Sequence, residues 1–324
     1  MITLTLPRWC SVLLMAGTVL ATTGQPLAQD YPAKPIRFVV PTTPGSTADL
    51  VARVLGAEMS KVIGQSIVVE NKPGANQIIG LELIAKLASA DGYTVGIVGV
   101  DALALLPLTT KAMRFDPMKD LTMVAGVAEA RYVLASPAAK PWKNFAALVS
   151  HAKANPGKLN YGSSVHQVRF PVMLVMQELG LDMLHVPYSA GRTYEQALQT
   201  GTLDLGILTE GSANRSGNEF LLFATTGQQR IAARPNVPTF AELGFPRVKG
   251  PSYAVSVRTG TPRAIIDKLA NAVTATLERP ETRAAMEKLY LRVVNERPDA
   301  AAKSLADTFS FYSDFAKKVD LKPE

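Results

Sequence analysis

The chain has 324 residues, 47% hydrophobic and 19% charged, which is enough for two globular domains with sizeable cores and excludes a disordered chain. Its formal charge is +7, but the lysines and arginines are scattered and not interleaved with aromatics, a pattern that argues against nucleic-acid binding and for a mildly basic surface.

Within the first 28 residues Arg8 is the only charge, and the apolar run SVLLMAGTVLA is followed by small residues. This predicts a secretory signal peptide, cleaved before Gln29. The run is too short for a membrane span, which needs about 20 residues. Cys10, the only cysteine, would leave with the leader. The mature chain is then expected to have no disulfide and no thiol nucleophile, as suits a periplasmic protein with a large core.

From Tyr31 onward, short runs rich in Val, Ile and Leu alternate with helical patterns, which predicts βα units and mainly parallel sheets. IRFVVP reads as a strand, and Leu50, Val51, Val54, Leu55, Met59, Val62 and Ile63 follow at helical spacing. QSIVVENKPG is a second strand and turn, IIGLELIAKLAS a helix, YTVGIVGV a strand, and LALLPLTT a short helix or loop. LTMVAGVA and RYVLASP then read as consecutive strands, as where a chain leaves one domain for another.

The second unit runs from a helix at FAALVSHAKA through a strand at KLNY into a serine loop. A helix from about Pro171, a strand at LHVPY, a helix from about Thr193 and strands at LDLGILTE and FLLFATTG follow. SYAVSVRTGTP reads as a strand returning to the first unit. Three helices close the chain, one starting at Pro262, then about 281–288 and 298–319. The predicted architecture is two α/β lobes, 29–127 plus 250–324 and 128–249, with a ligand cleft between them.

In the loop PTTPGSTADL, Ser46 or Thr47 can cap the following helix, with Asp49 completing a capping box. Gly45 permits a positive φ. The N–H groups of the first helical turn favour an anion. The second lobe has a counterpart in NYGSSVHQVRF, where Ser163 and Ser164 end a strand and Arg169 can clamp a carboxylate. Arg192 again follows a strand.

No P-loop, dinucleotide fingerprint or G-x-S-x-G elbow is present. The three histidines, His151, His166 and His185, show no metal spacing, so neither a metal nor a cofactor is expected. His166 near Ser163 is the one hint of a hydrolase, and a catalytic site is not expected.

The segments YPAKPIRFVVPTTPGSTADLVAR, VVENKPGANQIIGLELIAKLASADGYT, FDPMKDLTMVAGVA, ANPGKLNYGSS, HVPYSAG, GTLDLGI, RPNVPTFAELGF and GTPRAIIDKLANAV, in this order, resemble the substrate-binding proteins of tripartite tricarboxylate transporters, the Bug or TctC-like receptors. The likeness runs over nearly the whole mature chain. It implies a two-lobed periplasmic-binding-protein fold, a small organic carboxylate held between strand-end loops, and delivery to integral membrane transporter subunits. A ligand sensor that presents its closed form to a signalling partner is the alternative. Since a closing cleft needs no second subunit, a monomer is expected.

Against the family pattern PFPPGGGTD the first loop has Thr42 for an aromatic and Ser46 and Thr47 for glycines, beside Thr43 and Gly45. In the second loop Val165, His166, Gln167 and Arg169 replace small residues. Ser189 and Ala190 stand where Lys-Gly is common, and Arg192 replaces a small residue. Leu208 stands where many relatives carry an aspartate, which disfavours an amino-acid ligand unless Asp101 supplies the missing charge. Such a pocket, bulkier and more cationic, is expected to take an aromatic or medium-chain aliphatic carboxylate.

Overall fold

The computed structural model describes residues 31–324 apart from 112, 320, 322 and 324; the expected leader lies outside the described residues. The first lobe begins with β1 (Ile36–Val40), α1 (Thr47–Ile63), β2 (Ile67–Asn71), α2 (Ile78–Glu82) and a π-helical turn over Leu83–Leu87. It continues through β3 (Thr94–Gly99), α3 (Val100–Thr109), α4 (Pro117–Asp120) and β4 (Leu121–Ala130). The chain then builds β5 (Tyr132–Pro137), α5 (Phe145–Ala154), β6 (Asn160–Ser163), α6 (His166–Leu179), β7 (Leu184–Pro187), α7 (Gly191–Gln199), β8 (Gly206–Thr209), α8 (Glu210–Arg215) and β9 (Phe220–Thr225). It returns with β10 (Ser252–Arg258), α9 (Arg263–Glu278), α10 (Pro280–Lys288), β11 (Leu291–Glu296) and α11 (Pro298–Lys318).

The first sheet has the order β11-β4-β10-β3-β1-β2. Only β1 pairs in parallel, with β2 and β3; the other three neighbour pairs are antiparallel. The sheet is thus less parallel than its βα pattern predicts. β10 re-enters from the other lobe, without the crossover helix that enforces parallel direction. The second lobe has an antiparallel β8-β5-β9 sheet and a parallel β6-β7 pair, joined by a bridge between Tyr161 and Leu205.

α1 illustrates how the sequence fixes an element. Ser46 caps its start, left-handed Gly64 (φ 74°) ends it, and Val51, Leu55 and Met59 line one buried face. Burying each such side chain stabilises the fold by about 1.5–3 kcal/mol. α6, by contrast, starts five residues before the proline expected to open it. Pro171 falls just past the first turn, where its missing N–H removes a single ladder bond. This earlier start brings His166 and Arg169 onto the opening turn.

Two strands of chain join the lobes. Ala130 N–H donates to Pro251 O (2.9 Å) and Thr226 N–H to Tyr132 O (2.9 Å), so the outgoing and returning segments are clipped together. They lie so close that a Cβ on Gly250 would sit 2.1 Å from the Ala130 carbonyl oxygen. Behind this crossing, Phe170 of α6 packs edge-on against Tyr312 and Phe315 of α11, with ring centroids 5.3 and 5.7 Å apart, within a core that spans both lobes.

Candidate functional site

Between the lobes lies a cleft of about 800 Å³. Helices α1, α6 and α7 start on its walls at Thr47, His166 and Gly191, and α3 presents Gly99, just before its first turn, and Asp101. α3, α6 and α7 begin without a side-chain cap, so the positive ends of their dipoles act on whatever occupies the cleft.

The first-lobe loop is held from below. Asp49, 2% exposed, accepts from Gly45 N–H (2.9 Å), Arg53 Nε (3.0 Å) and Asn71 Nδ2 (3.0 Å). Burial raises its carboxyl pKa, but the hydrogen bonds from Arg53, Gly45 and Asn71 outweigh burial and hold it below the usual carboxylate range. The capping box is therefore displaced by one residue, since the carboxylate reaches Gly45 N–H instead of Ser46 N–H. Gly45 has a φ of 81°, the left-handed conformation this turn requires. Thr42 and Ser46 share a 2.6 Å hydrogen bond between hydroxyls.

On the second lobe, parallel pairing of β6 with β7 sets Tyr161 opposite His185 and brings Ser163 Oγ to 2.8 Å from His185 Nε2. Ser163 thus has His185 as a partner across the β6–β7 pair. Arg169 projects from the fourth position of α6, with its guanidinium beside the Tyr161 hydroxyl and its buried Nε unpaired with any described residue. An orphaned guanidinium N–H in a cleft is a ready donor to an anion.

Residues 51–321 match the family model described as tripartite tricarboxylate transporter family receptor. The chain belongs to this receptor family. It is 32% identical over 306 residues to a Cupriavidus necator protein described as the UPF0065 protein in the gbd 5' region, covering 93% of this chain and 92% of that one. It is similar to an R. palustris protein solved with adipate, with a TM-score of 0.84 and 27% identity over 91% of this chain and 100% of that one. It is likewise similar to MatC from Rhodopseudomonas palustris with bound malate, with a TM-score of 0.79 and 26% identity over 88% of this chain and 99% of that one. The family consists of binding proteins, and the receptor is not an enzyme.

Of the residues that the sequence nominates, the receptor brings Thr42, Thr43, Gly45, Ser46, Thr47, Asp101, Ser163, Ser164, His166, Arg169 and Arg192 onto the cleft wall. Leu208 is absent from it. That residue, 2% exposed, packs among Tyr194, Leu198 and Leu203 in the second-lobe core, because strand alternation turns it away from the cleft. Asp101 does not pair with Arg169. It accepts from Ser252 N–H at the base of the first lobe, and burial pushes its carboxyl up to about 7, assisted by Glu129 and opposed by Ser252 N–H, its own backbone N–H and Lys249.

Sequence reasoning missed three groups. The segment Pro73–Gln77 lines the first-lobe wall, and its one advance signal was Gly74. Glu195, Ser212 and Arg215 form a hydrogen-bonded set, Ser212 Oγ donating to Glu195 Oε1 (2.7 Å) and accepting from Arg215 (2.9 Å). Tyr290, from the turn between α10 and β11, comes down opposite Gly211 of α8.

Proposed function

We propose that this receptor acts in the periplasm as a monomer, closing its lobes over a small organic carboxylate and presenting it to integral membrane transporter subunits. The observation that carries this reading is the meeting of two helix starts, α1 and the uncapped α6, across one cleft, with Arg169, whose Nε has no partner among the described residues, on its wall. The N–H groups of Thr47 and Ala48, at the start of α1, would hold the anion from one side and Ser163, Ser164 and Arg169 from the other. A ligand that contacts both walls favours the closed state, because only closure makes both sets of contacts. The adipate- and malate-bound relatives support the choice of carboxylate.

Closure would pivot on the clipped segments at 130–132 and 226–251, with the lobes as proposed from the sequence. Calorimetric titration of protein stripped by unfolding and refolding, using adipate, malate and benzoate beside adipamide and benzamide, tests the reading. Binding confined to the acids is expected; equal binding of an acid and its amide would refute the carboxylate anchor.

A further inference from the structure

After β2 the backbone turns through four residues in the left-handed region, Gly74 (φ 126°), Ala75 (φ 45°), Asn76 (φ 50°) and Gln77 (φ 78°). Only the first is glycine. A side chain held there is strained, and such strain persists where the surroundings or the function demand it. Gln77, only 6% exposed overall, lines the cleft, and among the described residues none pairs with its carboxamide, which stays open to the cleft. Glycine at this position would remove the strain, so the fold itself gives no reason for glutamine.

The charge on the two walls is unequal. Arg169, Arg192 and Arg215 line the second-lobe wall with a single acid, Glu195, whereas among the described residues the first-lobe wall holds no lysine or arginine and includes Asp101. A second carboxylate against the first-lobe wall would find no cation and would face an acid. An uncharged hydroxyl or amide would find in Gln77 both a donor and an acceptor.

We infer that Gln77 is a specificity residue, whose carboxamide hydrogen-bonds an uncharged polar group, a hydroxyl or carboxamide, on the carboxylate ligand. This rests on the carboxylate reading above. A site built to hydrogen-bond such a group discriminates against the analogue lacking it, because closure over that analogue would bury the amide unpaired.

The test compares three pairs of probes, succinate with malate, adipate with its half-amide, and benzoate with p-hydroxybenzoate, by titration calorimetry on refolded wild type and Gln77→Gly. In any pair the wild type binds, the member with the extra uncharged group is expected to bind about tenfold more tightly, and Gln77→Gly to lose that preference. The variant's Tm without ligand is expected to equal or exceed that of wild type. A preference that survives in Gln77→Gly, or a lowered Tm in that variant, overturns this inference alone. Wild type that binds none of the six probes overturns the carboxylate reading and this inference with it.

Discussion

Asp101 offers the sharpest stability prediction. Its carboxyl, 7% exposed at the start of α3, is raised from 3.8 to about 7, chiefly by burial. Well below pH 3.8 native and unfolded chains both hold the proton. As pH rises from 4 to 7 the unfolded chain releases it while the native chain keeps it, so native stability falls; above 7 both are ionised and the loss levels off. A shift of about three units corresponds to roughly 4 kcal/mol, an upper bound because local relaxation reduces it. Asp101→Asn removes the titration while preserving size and one acceptor oxygen. Urea unfolding of ligand-free wild type and variant at pH 4 and pH 8 reads the effect directly. The variant's stability relative to wild type is expected to rise by as much as about 4 kcal/mol between the two pH values. A difference independent of pH would refute the argument that burial keeps this carboxyl protonated.

Arg169→Ala is expected to weaken binding of the cognate acid about ten- to a hundredfold, the worth of a charge-assisted hydrogen bond, without lowering Tm; calorimetry and thermal denaturation check both. Gly250→Ala forces a Cβ against Ala130 O at the lobe crossing and is expected to cost about 1–3 kcal/mol in urea unfolding. Asp204→Ala removes the acceptor of Lys140 Nζ and of Asn160 N–H (2.8 Å) at the entry to β6. The expected cost is about 1–3 kcal/mol, with faster amide exchange through 160–163 as the local signature.

The strand–loop–helix from Ile36 to Ile63 was legible because every level agrees: an apolar strand, Gly45 for the turn, Ser46 for the cap and a periodic apolar face. β11 was not, since LRVVNE is short, half-exposed and becomes a strand only by pairing with β4, more than 150 residues earlier. α8 was too short to show a period. Pairing of His185 with Ser163 depends on β6–β7 register, which no local pattern states. Leu208 failed as a candidate for the opposite reason: its neighbours along the strand were read correctly, but the face on which it sits depends on packing against α7. Gln77 went unnoticed because a left-handed glutamine leaves no mark in the sequence beyond the glycine before the turn.

The most direct test of the central claim is a crystal structure of the refolded receptor with whichever carboxylate binds it most tightly. The account predicts closed lobes, with one carboxylate group within hydrogen-bond distance of both the backbone amides of Thr47 and Ala48 and the Arg169 guanidinium. A ligand seated outside the cleft, or in it with no carboxylate oxygen near either group, would contradict it.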